Sequence, residues 1–92
     1  MARFTTRVEL RKTPRDYNAL HDEMEGRGFT RTIKNSKGKE YHLPPAEYNY
    51  EGEKTEKEVL ALAVEAASAV DNDFEILVTK SDGRTWHELK DA

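Results

Sequence analysis

Along the chain the spacing of apolar residues switches between two and about 3.6, and a stop signal stands at each switch. Phe4, Thr6, Val8 and Leu10 alternate with Thr5, Arg7, Glu9 and Arg11, the pattern of a strand with one buried and one polar face. Thr13 then offers an N-cap hydroxyl, Pro14 suits the first helical position, and Asp16 places negative charge in the first turn. Tyr17, Leu20 and Met24 fall on one helical stripe, which Gly26 and Gly28 can end at positive φ. Phe29 to Ile33 reads as a second strand, and Asn35-Ser36-Lys37-Gly38-Lys39 as a turn into a third strand through Tyr41 and Leu43. Pro44 and Pro45 donate no ladder hydrogen bonds, so that strand is either interrupted or at an edge before Ala46 to Tyr50 resumes it.

The second half repeats the alternation. Thr55-Glu56-Lys57-Glu58 is a capping box opening a second helix with Val59, Ala63, Ala66 and Val70 on its apolar stripe. Asp71-Asn72-Asp73 ends it, and Phe74 to Thr79 is a strand by composition. The Asp82-Gly83 pair then favours a tight hairpin into an extra C-terminal strand over 85–89. The order predicts an α+β fold over 1–92 as a single domain: a ferredoxin-like βαββαβ sandwich with two helices on one face of an antiparallel sheet.

Composition narrows the function classes. A chain of 92 residues with 36% hydrophobic content buries one core covering only something over 60% of its unfolded surface, so dimerisation is an expected source of stability. No apolar run approaches the roughly 20 residues of a membrane span, and no secretory signal follows the first residues, so a cytoplasmic protein without membrane contact is expected. The absence of cysteine removes thiolate catalysis and thiolate metal sites. The net charge of −3 hides an asymmetry: residues 1–46 hold ten Lys/Arg against six Asp/Glu, +4, and residues 47–92 hold five against twelve, −7. The first half therefore either presents a cationic surface to a polyanion or is one solvated face of an ordinary domain.

Candidate chemistry is sparse. Arg7, Glu9 and Arg11 share the polar face of the first strand, either as ion pairs or as phosphate ligands with Glu9 as a base. Arg31 stands at an inward parity between Phe29 and Ile33 and needs an anion, internal or bound. His21 and His42 are candidate proton-transfer groups, and no histidine spacing marks a metal site. RNA cleavage asks little of a protein, because the substrate's 2′-OH can attack the adjacent phosphate given a base, an acid and a cation. Tyr41, Tyr48, Tyr50 and Trp86 are aromatic candidates either for stacking bases on the open sheet face or for packing a core or dimer interface.

The segments Arg7-Val8-Glu9-Leu10, Asp16-Tyr17-x-x-Leu20-His21-x-x-Met24, Gly28-Phe29-x-Arg31 and Tyr41-His42-Leu43-Pro44 carry a likeness. Through them the chain resembles, over nearly its whole length, the small bacterial proteins grouped with the GhoS-type antitoxin. The resemblance implies a ferredoxin-like fold akin to the small CRISPR adaptation nucleases, and endoribonuclease activity on messenger RNA within a toxin–antitoxin system. Leu10, Arg11 and Lys12 occupy the stretch where the CRISPR proteins carry a metal-binding acid, so a mechanism without metal or other cofactor is expected. The expected site is His21, His42 and Glu9 for catalysis, with Arg7, Arg11 and Arg31 holding RNA. The alternative is a non-enzymatic interaction or homodimerisation module using the open sheet face.

Overall fold

A computed structural model of the chain describes residues 2–11 and 17–92. Its elements are β1 (Ala2–Leu10), α1 (Tyr17–Glu25), β2 (Thr32–Lys34), β3 (Glu40–His42), β4 (Glu47–Gly52), α2 (Glu56–Ser68) and β5 (Phe74–Lys80). The fold is a small α+β arrangement in which a three-stranded sheet of order β4-β1-β5 and a two-stranded β2-β3 sheet accompany two helices. The capping signals expected at Thr13, Pro14 and Asp16 lie outside the described residues.

β1 is the central strand, antiparallel to both neighbours, with Arg7 opposite Glu47 on one side and Leu77 on the other. Its alternation works as the sequence predicts. Phe4, Thr6, Val8 and Leu10 are buried with Leu20, Met24, Phe29, Tyr48, Val59, Ala63, Ala66 and Ala67. Arg3, Thr5, Arg7 and Glu9 have the opposite parity and stand on the sheet's other face.

The local signals explain the boundaries. α1 ends in a Schellman pair: the Phe29 N–H donates to the Met24 carbonyl and the Gly28 N–H to that of Glu25, with Gly28 at φ 95°. Asn35 makes the β2–β3 turn, its side-chain oxygen accepting from the Lys37 and Lys39 N–H groups while Gly38 takes φ 82°. The Pro44-Pro45 pair does interrupt the third strand, dividing it into β3 and β4. The capping box of α2 is complete, with the Glu58 N–H donating to the Thr55 hydroxyl and the Thr55 N–H to the Glu58 carboxylate.

The C-terminal segment departs from expectation. No strand forms over 85–89, and the Asp82-Gly83 pair does not fold the chain back along β5. Arg84 instead donates to the Asn49 side-chain oxygen at 2.7 Å and Trp86 packs against Tyr41, with ring centroids 5.3 Å apart. The chain then runs beside β3, where the His42 N–H donates to Lys90 and the Ala92 N–H to Glu40. A satisfied half-buried guanidinium, an aromatic pair and a paired β3 edge outweigh what a short polar hairpin would bury. Among the described residues, no strand pairs with the outer edge of β5.

One core feature gives a direct stability test. The Thr6 hydroxyl is fully buried and has no hydrogen-bond partner among the described residues. Thr6→Val keeps the shape and removes an unpaired dipole, so it should raise unfolding stability by about 1–2 kcal/mol in urea titration. A loss of stability would show that the hydroxyl is satisfied in solution.

Candidate nucleic-acid interface

The six residues singled out by sequence fall in three places: the open face of the sheet, the core and a groove beyond the sheet. Glu9, Arg7 and Arg11 lie on β1 or just past its end, in a row of ion pairs on the open face. Arg7 meets Glu9, its Nε 3.0 Å from the carboxylate, and lies 3.6 Å from Glu47. Arg11 meets Asp73 at 2.8 Å and Glu75 at 3.2 Å, and Arg3 is 4.0 Å from Glu51. Arg3, Arg7 and Arg11 thus each meet at least one carboxylate of the acidic second half. Such exposed pairs are individually worth under about 1 kcal/mol, yet a phosphate would have to displace them.

His21 lies on the other side of the sheet. It is 7% exposed in the core, its Nδ1 2.6 Å from the Tyr48 hydroxyl, with Tyr17 edge-on to its ring. Burial, followed by the positive charge of Arg31, pulls its pKa below the ordinary value, against smaller pulls from Glu25 and Asp22. Burial likewise pushes the Tyr48 phenol up, so it stays protonated. The phenol donates, because otherwise its own O–H would be unpaired in the core; the His21 proton then sits on Nε2. His21 and Glu9 are therefore not brought together, and no acid–base pair forms between them.

Arg31 and His42 are brought together. Both line a groove of about 430 Å³ with Leu43, Pro44, Pro45, Glu88, Leu89 and Lys90. Arg31 is half-buried, its Nε is shielded from solvent without a partner, and no carboxylate among the described residues pairs with its guanidinium. The anion that Arg31 needs, internal or bound, is thus not supplied by the described residues. Glu88 closes the groove at φ 56°, the one non-glycine positive φ among the described residues. That backbone is strained for a side chain bearing Cβ and recurs at functional sites.

The aromatic candidates resolve toward packing. Tyr48 is wholly buried, Tyr50 packs on Phe4 and Phe29, and Tyr41 and Trp86 pack on each other. Sequence reasoning missed Tyr48 as the partner of His21, and Glu88 and Lys90 as groove residues. Nothing local marks them, since only the course of the C-terminal segment beside β3 delivers the last two. Among the described residues, no group of His, Asp and Glu side chains converges to hold a metal ion, and no helix is long and apolar enough to cross a membrane. A scan against protein-family models and a search of curated proteins give no match to this chain.

The His21–Tyr48 pair has a pH signature. A depressed histidine pKa means that the unfolded chain binds the proton more readily. The contribution of His21 is full above the unfolded value of about 6.5 and is lost as pH falls through the folded one. Urea stability should therefore drop between about pH 7.5 and about pH 5, with a shallower drop in His21→Gln. Tyr48→Phe should cost about 1–3 kcal/mol at neutral pH.

Proposed function

We propose that this chain is an RNA-interacting protein of the GhoS-type antitoxin kind that engages the RNA backbone in the Arg31 groove. The observation carrying the reading is that Arg31, alone of the three arginines expected to hold phosphate, has no anionic partner among the described residues. Lys90 adds a second cation and the Leu43-Pro44-Pro45 corner an apolar wall suited to a sugar or base. The ferredoxin-like reading is supported by Thr30 and Asn49, whose backbones exchange two hydrogen bonds of 2.8 Å and so set the entry to β2 beside β4.

The same groove holds the groups for metal-independent cleavage. On this reading the Glu88 carboxylate takes the proton of the 2′-OH as that oxygen attacks phosphorus. The imidazolium of His42 protonates the departing 5′ oxygen, leaving a 2′,3′-cyclic phosphate, while Arg31 and Lys90 balance the charge gathering on the phosphoryl oxygens. Glu88 takes the role assigned to Glu9 in the sequence, because Glu9 stands on the open face in the grip of Arg7. His21 is a core residue in this account.

Binding of single-stranded RNA, followed by mobility shift against salt, tests the placement. Arg31→Ala should weaken it roughly 10- to 100-fold and reduce the salt slope by about one phosphate contact, with Arg7→Ala and Arg11→Ala nearly unchanged. Loss of binding in Arg7→Ala with none in Arg31→Ala would move the interface to the open face. In an EDTA-containing cleavage assay, His42→Ala should lose activity and keep binding.

Glu88→Gly separates chemistry from folding. Relief of the left-handed backbone should raise stability by about 1 kcal/mol while cleavage is lost. Retained cleavage in this variant would remove Glu88 from the mechanism.

A further inference from the structure

We propose that the outer edge of β5 is the interface of a two-fold homodimer in which two copies of β5 pair antiparallel about Leu77. The inference stands apart from the RNA reading and begins with hydrogen bonds. The Arg11 N–H donates to the Asp73 carbonyl and the Ser81 N–H to that of Arg3, which sets the alternation of the β1–β5 ladder. The backbone groups of Glu75, Leu77 and Thr79 therefore point to β1. Those of Phe74, Ile76, Val78 and Lys80 point outward, where no strand among the described residues meets them.

This edge lacks three of the usual protections, although Glu75 and Lys80 stand on it. Over Phe74–Lys80 it has no proline, its register with β1 is unbroken by a bulge, and the C-terminal segment that was expected to cover it lies beside β3. One of the large hydrophobic side chains exposed among the described residues stands on this strand. Leu77 is 65% exposed on β5, on the face shared with Arg7.

The sequence of the strand selects a second copy as the occupant. Centring a two-fold axis on Leu77 sets Phe74 opposite Lys80, Glu75 opposite Thr79, Ile76 opposite Val78, and Leu77 opposite itself. All seven residues are then paired and no like charges face each other. The outward groups of Phe74, Ile76, Val78 and Lys80 fall into the hydrogen-bonded pairs. Leu77 falls at a non-hydrogen-bonded pair, where opposing side chains approach most closely. Shifting the axis by one residue leaves an end unpaired and sets Leu77 opposite Glu75 or Thr79. The interface differs from one on the open sheet face, which the ion pairs of Arg3, Arg7 and Arg11 occupy.

The natural absence of cysteine makes the register directly readable. The protein should sediment as a dimer. Under mild oxidation Leu77→Cys should cross-link to a covalent dimer, since Cα atoms about 4.5 Å apart at a non-hydrogen-bonded pair lie within disulfide reach. Glu75→Cys and Thr79→Cys should each fail alone and cross-link when mixed. Leu77→Lys, at an exposed position, should sediment as a monomer with an unchanged circular dichroism spectrum. A monomeric native chain, a Leu77→Lys dimer, or Glu75→Cys cross-linking as readily as Leu77→Cys would each overturn the proposal. RNA binding by a monomeric chain would sink the dimer and leave the Arg31 groove intact.

Discussion

The constraint on which the rest depends is the pleat of β1. As the middle strand it cannot slip by one residue without sending Phe4, Val8 and Leu10 into solvent and Arg7, Glu9 and Arg11 into the core. The apolar side of this alternation closes on both helices. Its polar side fixes where the charges go, and β4 and β5 present Glu47, Glu51 and Glu75 at the height of the β1 arginines. Three cations of the basic half, Arg3, Arg7 and Arg11, thus meet four carboxylates of the acidic half along one row on the open face.

That neutralisation gives Arg31 its significance. It lies beyond the three-stranded sheet, just before β2, where no carboxylate among the described residues pairs with it, and its Nε is shielded from solvent without a hydrogen-bond partner. A half-buried guanidinium without a counter-ion is costly, and the cost falls when an anion arrives. The charge of Arg31 also reaches His21 and helps keep that imidazole neutral behind the groove. Core and groove are therefore coupled by electrostatics, while the proton-moving groups proposed for the groove, His42 and Glu88, are solvent-accessible.

Much of the fold was legible in the sequence because its signals are local. The β1 alternation, the capping box at Thr55, the glycine exit from α1, the Asn35 turn and the break at Pro44-Pro45 each act within a few residues, and each is present. The path of residues 81–92 was not legible, since the preference of Asp82-Gly83 for a hairpin was overridden by contacts with Asn49, Tyr41 and the β3 edge, all distant in sequence. The same distance hid Glu88 and Lys90. Parity correctly set Arg7 and Glu9 side by side, but could not reveal that Glu47 crosses to the same arginine or that His21 lies on the other side of the sheet.

The central claim is that one arginine is free to bind a backbone phosphate while those of the sheet are bound to carboxylates. The most direct measurement follows the Nε–H resonances of assigned arginine side chains by NMR as a short single-stranded RNA is added. The account predicts that Arg31 shifts and gains protection from solvent exchange while Arg7 and Arg11 keep their positions. Movement of Arg7 and Arg11 with Arg31 unchanged would contradict it and return the RNA to the open face of the sheet.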